Sequence, residues 1–159
     1  VVGPGLGRRE GALAGAARVI ELAARQRGLP VVIDADGLYL VARRPDLVAG
    51  LDNVVLTPNA VEFDRLRRAV AGVGGPPPPG AADDDDEAGP PPPAVFSTSA
   101  ELRRGGGRGG PGAVRAAKEV RELCRALGGV TIVRKGRVDL VSDGDVVLAV
   151  DEPTSPRRC

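Results

Sequence analysis

Apolar residues recur at helical spacing early in the chain, at Leu13, Ala16, Ala17, Ile20, Ala23 and Ala24. Gly28 predicts a C-terminal stop for that helix, with Pro30 two residues later. The pattern changes at Val31-Val32-Ile33, a short continuous apolar run of the kind expected in a strand buried on both faces. It ends in Asp34-Ala35-Asp36-Gly37, after which a short helix is predicted around Leu38 to Val41 and another near Pro45. Val54-Val55-Leu56 is a second buried strand. Thr57-Pro58-Asn59 turns the chain into a helix with Phe63, Leu66 and Val70 on one face, and Asn59 with Glu62 has capping-box spacing. Further on, Val114, Ala117, Val120, Cys124 and Leu127 line one helical face, which Gly128-Gly129 ends. Val130 to Val133 is a third buried strand. Val138 to Ser142 and Val146 to Val150 then flank Asp143-Gly144, a dipeptide favoured in hairpin turns. The opening Val1-Val2 reads as the end of a strand. Strands alternating with helices imply right-handed crossovers and a mainly parallel sheet covered by helices, made mixed by the last hairpin.

Composition modifies this picture in one place. From about Ala71 to Gly112 the chain is mostly Gly, Pro, Arg and Asp, including Pro76 to Pro79, Asp83 to Asp86 and Pro90 to Pro93. Only Val95, Phe96 and Leu102 offer apolar anchors there, too few to offset the entropy of ordering the segment. We therefore expect an ordered α/β domain over residues 1–70 and 113–159, interrupted by a disordered insertion over 71–112. A net charge of +1 argues against general attraction to nucleic acid or membrane. Arg103, Arg104 and Arg108 in the insertion follow from compositional bias more simply than from RNA contact. Aromatics at 2% supply no stacking platform for single strands. Two cysteines, Cys124 and Cys159, make no disulfide framework, and the absence of histidine removes Ser-His and Cys-His catalysis and histidine-based zinc sites. No run reaches the length of a membrane span.

In sheets of this type ligands bind beyond the carboxyl ends of the strands. That rule puts four segments on one rim: Gly3 to Gly7, Asp34 to Gly37, Thr57 to Glu62, and Arg134 to Gly136. The glycine-rich turn suits close approach of a phosphate to a helix N-terminus, or equally a tight strand-to-helix turn. It is neither a P-loop nor a G-x-G-x-x-G fingerprint. Asp34 and Asp36 suit a hydroxyl or a metal, or a helix-capping turn. Asn59 and Glu62 form a cap and nothing else, or part of a site. Lys135 meets a nucleotide phosphate, or is a solvated hairpin lysine. Joint placement on one rim raises the case for all four.

Together these segments resemble a known family. Val1-Val2-Gly-Pro-Gly-Leu-Gly7, Val31-Val-Ile-Asp-Ala-Asp-Gly37, Leu56-Thr-Pro-Asn-Ala-Val-Glu-Phe63 and Val133-Arg-Lys-Gly136 are similar in order and content to the ATP-dependent NAD(P)H-hydrate dehydratases. These are carbohydrate-kinase-domain proteins of the ribokinase-like superfamily. The Asn-x-Val-Glu-Phe piece and the ending Ser155-Pro-Arg-Arg-Cys159 resemble the eukaryotic branch. The resemblance implies a ribokinase-like three-layer sandwich, mainly parallel with a C-terminal hairpin, and here incomplete. It implies repair of the S epimer of hydrated NADH or NADPH at the expense of ATP, with Mg2+ accompanying the ATP. ATP and hydrated NAD(P)H are then the partners, with no nucleic acid or membrane, in a cytoplasmic or mitochondrial setting or both.

Carried over by position, Gly5 and the run Asn59, Ala60, Val61, Glu62, Phe63, Asp64 and Arg65 resemble the hydrated-dinucleotide site. Lys135, Gly136, Arg137, Val138 and Asp139 resemble the ATP site, with Thr154, Ser155, Pro156, Arg157, Arg158 and Cys159 as its approach loop. Two departures stand out. Position 60, commonly His in the eukaryotic branch, is Ala. The Gly-Gly-x-Gly-Asp motif that follows Arg-Arg-Cys in the family, with its catalytic Asp, lies beyond Cys159, so no base is assigned and this chain alone is expected to be inactive. A related small-molecule kinase and a non-catalytic shortened isoform are the competing readings.

Overall fold

The computed structural model describes residues 1–72 and 111–150. Val95, Phe96, Leu102 and nearly all of the expected insertion lie outside the described residues, as do Thr154 to Cys159. The described residues form α1 (Glu10–Ile20), β1 (Val31–Ile33), α2 (Asp36–Arg43), β2 (Val54–Leu56), α3 (Ala60–Val70), α4 (Pro111–Ala126), β3 (Thr131–Arg134), β4 (Asp139–Ser142) and β5 (Val147–Val150). A 3-10 turn at Pro45–Leu47 follows α2. The helix α4 begins at Pro111, two residues before the expected edge of the domain, at the first helical position, where proline's missing N–H costs nothing.

The sheet runs in sequence order, β1-β2-β3-β4-β5, with β1, β2 and β3 parallel and β4 and β5 antiparallel. Val2 adds a parallel bridge to Ile33 outside β1, its amide donating to Val32 O at 2.8 Å. Val2 therefore sits beside β1 as the strand reading expects, whereas Val1 is exposed and in no element. The fold is α/β with a mixed, mostly parallel sheet, and the C-terminal hairpin is where the pattern put it.

Burial alternates along the strands, which corrects the expectation of strands buried on both faces. Val31, Ile33, Val54, Leu56 and Ile132 are buried, whereas Val32, Val55, Thr131 and Val133 are only partly so. The reason is topological. Neighbouring parallel strands added in one direction by right-handed crossovers place every connecting helix on the same face. Contacts agree: Cys124 of α4 bonds Ser142 of β4, and Phe63 of α3 packs under Arg134 of β3. The described residues thus supply two of the three layers expected of a ribokinase-like sandwich. Each fully buried Ile or Leu on that face contributes about 1.5–3 kcal/mol of transfer free energy.

Three local details differ from the expected pattern. The first helix widens after Ile20 into a π-helical turn over Glu21–Gln26, which keeps Ala24 in the core and leaves Ala23 only partly buried. Arg25 there reaches Asp46 O and Leu47 O at 3.1 and 3.4 Å. Gly28, at φ 63, ends the helix as expected, with Leu29 N donating back to Ala23 O at 2.9 Å. On α4 and just past its end the buried stripe is Ala117, Val120, Leu123, Cys124 and Leu127, while Val114, near the helix start, is exposed. The hairpin loop pairs Ser142 with Val147, so it holds four residues and not a tight Asp-Gly turn. Asp143 Oδ1 accepts from Asp145 N and Val146 N, and only Gly144 takes positive φ, at 103°.

Candidate functional site

All four strand-end segments meet at one rim, and each is bonded to a neighbour. The glycine-rich turn closes on itself, with Leu6 N donating to Gly3 O at 2.9 Å. Gly3 lies so close to β1 that a Cβ there would fall 1.8 Å from Asp34 O. Gly5 is exposed at φ 70 and open to solvent. Gly7 N donates to Asp36 Oδ2 at 2.9 Å, and Arg8 Nε pairs with Asp36 Oδ1 at 3.2 Å. Asp36 thus uses both carboxylate oxygens to tie the turn to the start of α2. Its reading as a structural clamp is favoured over a free ligand. The start of α1 carries Glu10 and no side-chain cap.

Asp34 behaves differently. Its carboxylate Oδ1 accepts from Ala35 N and from Lys135 Nζ, both at 2.9 Å. Ala35 is held at φ 48, ψ −123, a region an alanine rarely adopts. The Asp34–Gly37 turn is closed by Gly37 N donating to Asp34 O at 2.9 Å. Burial alone would push the Asp34 carboxyl up. The Lys135 ammonium, the Ala35 amide and the Thr57 hydroxyl together outweigh it and hold the group below its ordinary value of 3.8.

The Asn59–Arg65 run forms the first turns of α3. Asn59 caps the helix through a full capping box: Glu62 N donates to Asn59 Oδ1 and Asn59 N donates to Glu62 Oε2, both at 2.8 Å. Both alternatives for this pair stay compatible with its position, but the cap itself is present. Ala60 and Val61 are exposed at the helix start. Asp64 pairs along the helix with Arg67 and Arg68. Phe63 is a core residue, 2% exposed, with the Arg134 guanidinium 4.6 Å from its ring centroid. Burial holds the Arg134 guanidinium below its ordinary value, although Glu119 and Asp64 pull the other way. Phe63 thus offers a ligand no open face here.

The β3–β4 connection carries Lys135, Gly136, Arg137 and Val138. Gly136 N donates to Asp139 Oδ1 at 3.0 Å, folding the loop over, with Gly136 and Arg137 exposed. Lys135 N donates to Pro58 O at 2.8 Å, joining this loop to the segment before α3. Thr57 N donates to Ile33 O at 3.1 Å. Thr57 and Arg134 stand on the rim where the strand-end rule put them, whereas Arg8, outside the four segments, joins it through its pair with Asp36, a contact remote in sequence. Among the described residues no group of three His, Cys, Asp or Glu is placed to hold a metal, and no helix is long and apolar enough to cross a membrane.

Comparison with known proteins decides the family. The profile described as NAD(P)H-hydrate dehydratase, of the carbohydrate kinase type, matches residues 1–86. The chain belongs to the NAD(P)H-hydrate dehydratase family. It is 42% identical over 159 residues to the ATP-dependent (S)-NAD(P)H-hydrate dehydratase of Bos taurus, covering all of this chain and 37% of that protein. It is 41% identical over 159 residues to the protein so named from Ixodes scapularis, 39% of which is covered. For Homo sapiens the identity is 39%, again over all of this chain and over 35% of the relative. The chain spans somewhat more than a third of the length of these relatives. The span matched by the NAD(P)H-hydrate dehydratase profile includes the glycine-rich turn, Asp34–Gly37 and Thr57–Glu62; the Lys135 loop lies within the alignments to the relatives.

Proposed function

We propose that the protein carrying this chain dehydrates (6S)-NADHX or (6S)-NADPHX to NADH or NADPH, consuming ATP and releasing ADP and phosphate. The hydroxyl on C6 of the hydrated ring attacks the γ-phosphorus of ATP, ADP leaves, and the hydroxyl proton passes to a base. Phosphate then departs from C6 as a proton is lost from C5, and the ring double bond returns. The single observation that supports this reading is the joining of the β1, β2 and β3 ends into one rim by Lys135, in a chain of this family. Gly5 and Asn59 to Arg65 would take the hydrated dinucleotide, Phe63 by shaping the helix beneath it and Ala60 without a side-chain contact. Lys135 to Asp139, with Thr154 to Cys159, would take ATP: an exposed loop carrying positive charge at a strand end suits phosphate oxygens.

No base is assigned to these residues. Mg2+ would arrive as the counter-ion of ATP. The rim carboxylates do not fit a protein-held ion, since Asp34 is bonded to Lys135 and Asp36 to Arg8 and Gly7 N. The test is to supply the full-length protein with (6S)-NADHX and ATP and follow NADH absorbance together with ADP. ATP-dependent return of NADH is expected. ATP turnover that instead requires another hydroxylated small molecule would make the protein a kinase.

A further inference from the structure

Lys135 is anchored at the ends of both β2 and β1. Its amide donates to Pro58 O at 2.8 Å, just past the end of β2, and its ammonium donates to Asp34 Oδ1 at 2.9 Å, just past the end of β1. Residue 135 itself follows β3, and the order is β1-β2-β3. Neighbouring strands lie ~4.8 Å apart, so the lysine stem crosses the end of β2 to bring its charge to the strand beyond. The ammonium therefore sits on the glycine-turn side of the rim, where Gly3 packs against Asp34 O, and not out on the β3–β4 loop. The carboxylate that receives it is itself fixed, sharing Oδ1 with the amide of Ala35, whose φ is 48.

We propose that Asp34 is a positioning residue, which draws the Lys135 ammonium away from its own loop and across the strand ends to the β1 end, on the hydrated-dinucleotide side of the rim. The inference rests on the reading of Lys135 as an ATP-site residue. Held there, the charge would reach the ATP phosphates from the dinucleotide side rather than from its own loop. A mere staple of the sheet end would affect stability and leave ATP affinity alone. Positioning acts on ATP only through Lys135.

The test measures ATP affinity calorimetrically in the full-length protein for wild type, Asp34→Asn, Lys135→Gln and the double variant, alongside thermal unfolding. We expect either single change to weaken ATP binding roughly tenfold and the double variant to be no weaker than Lys135→Gln. Asp34→Glu, which keeps the charge on a longer arm, covers the case in which Asp34→Asn does not fold. It should weaken ATP several-fold at an unchanged unfolding midpoint. Wild-type affinity in Asp34→Asn or Asp34→Glu, or multiplied losses in the double variant, overturns the positioning role while leaving the ATP site standing. No ATP binding by the wild type overturns both.

Discussion

Gly3 has no space for a side chain and a backbone no alanine adopts easily: its φ is 129 and a Cβ would lie 1.8 Å from Asp34 O. Gly3→Ala should therefore cost more than about 3 kcal/mol, measured as the shift in urea unfolding free energy. Ala35 presents the opposite case. At φ 48, ψ −123 it occupies a conformation natural to glycine, so Ala35→Gly should stabilise by about 1 kcal/mol, the relief of strain exceeding the added chain entropy. Cys124 is fully buried, donates its thiol to Ser142 O at 3.2 Å, and is pushed by burial to a pKa of about 11. In a Cys159→Ser variant of this chain it should resist a thiol reagent at about pH 8 until the protein is unfolded. Fast labelling of the native protein would contradict that burial. The Asp34 carboxyl carries a pH signature. Its folded value lies below the ordinary 3.8, so its contribution is present above 3.8 and disappears as pH falls through the folded value. Acid titration of stability should be shallower in Asp34→Asn than in wild type.

Among the elements, α3 shows how a local rule and a rim position coincide. The spacing of Asn59 and Glu62 predicts a capping box, and both reciprocal bonds are present at 2.8 Å. Asn59→Ala should cost about 1 kcal/mol of stability by chemical denaturation, and Glu62→Ala added to it should cost less than the sum of the two. A simple sum would mean that the two bonds are independent. Such i,i+3 signals are legible because both partners lie within one turn. The widened turn at Glu21–Gln26 was not legible in the same way: the apolar period continues through it, and the shift answers to Arg25 reaching the carbonyls of Asp46 and Leu47. For the hairpin, Asp143-Gly144 marked the place but not the length of the loop. Asp143 spends its side chain on the amides of Asp145 and Val146, and Ser142 Oγ bonds Val146 O. These contacts favour four residues over two.

For the whole molecule, the one-sided cover of the sheet is the governing feature. Leu56 and Val55 are adjacent in β2, yet Leu56 is 0% exposed against the helices while Val55 is partly open on the other face. In the 159-residue chain, Leu56→Ala should cost about 3 kcal/mol and Val55→Ala less than about 1 kcal/mol by urea unfolding. Equal losses would mean that both faces are packed. Apolar runs such as Val31-Val32-Ile33 contain no alternation from which to read this asymmetry. It comes from the order in which strands are added to the sheet.

The sequence alone determined the kind and order of the elements, the turn glycines, the α3 cap and the rim on which the candidate segments lie. All of these depend on residues a few positions apart, or on the rule that strands end on one side of a parallel sheet. Only the tertiary structure decided what those segments do to one another. Asp34 and Lys135 are 101 positions apart, and no local period links them. They meet because β1, β2 and β3 lie side by side, which brings a lysine at one strand end within reach of a carboxylate two strands away. The same packing turned Asp36 into a clamp on Gly7 and Arg8, and placed Phe63 in the core beneath Arg134.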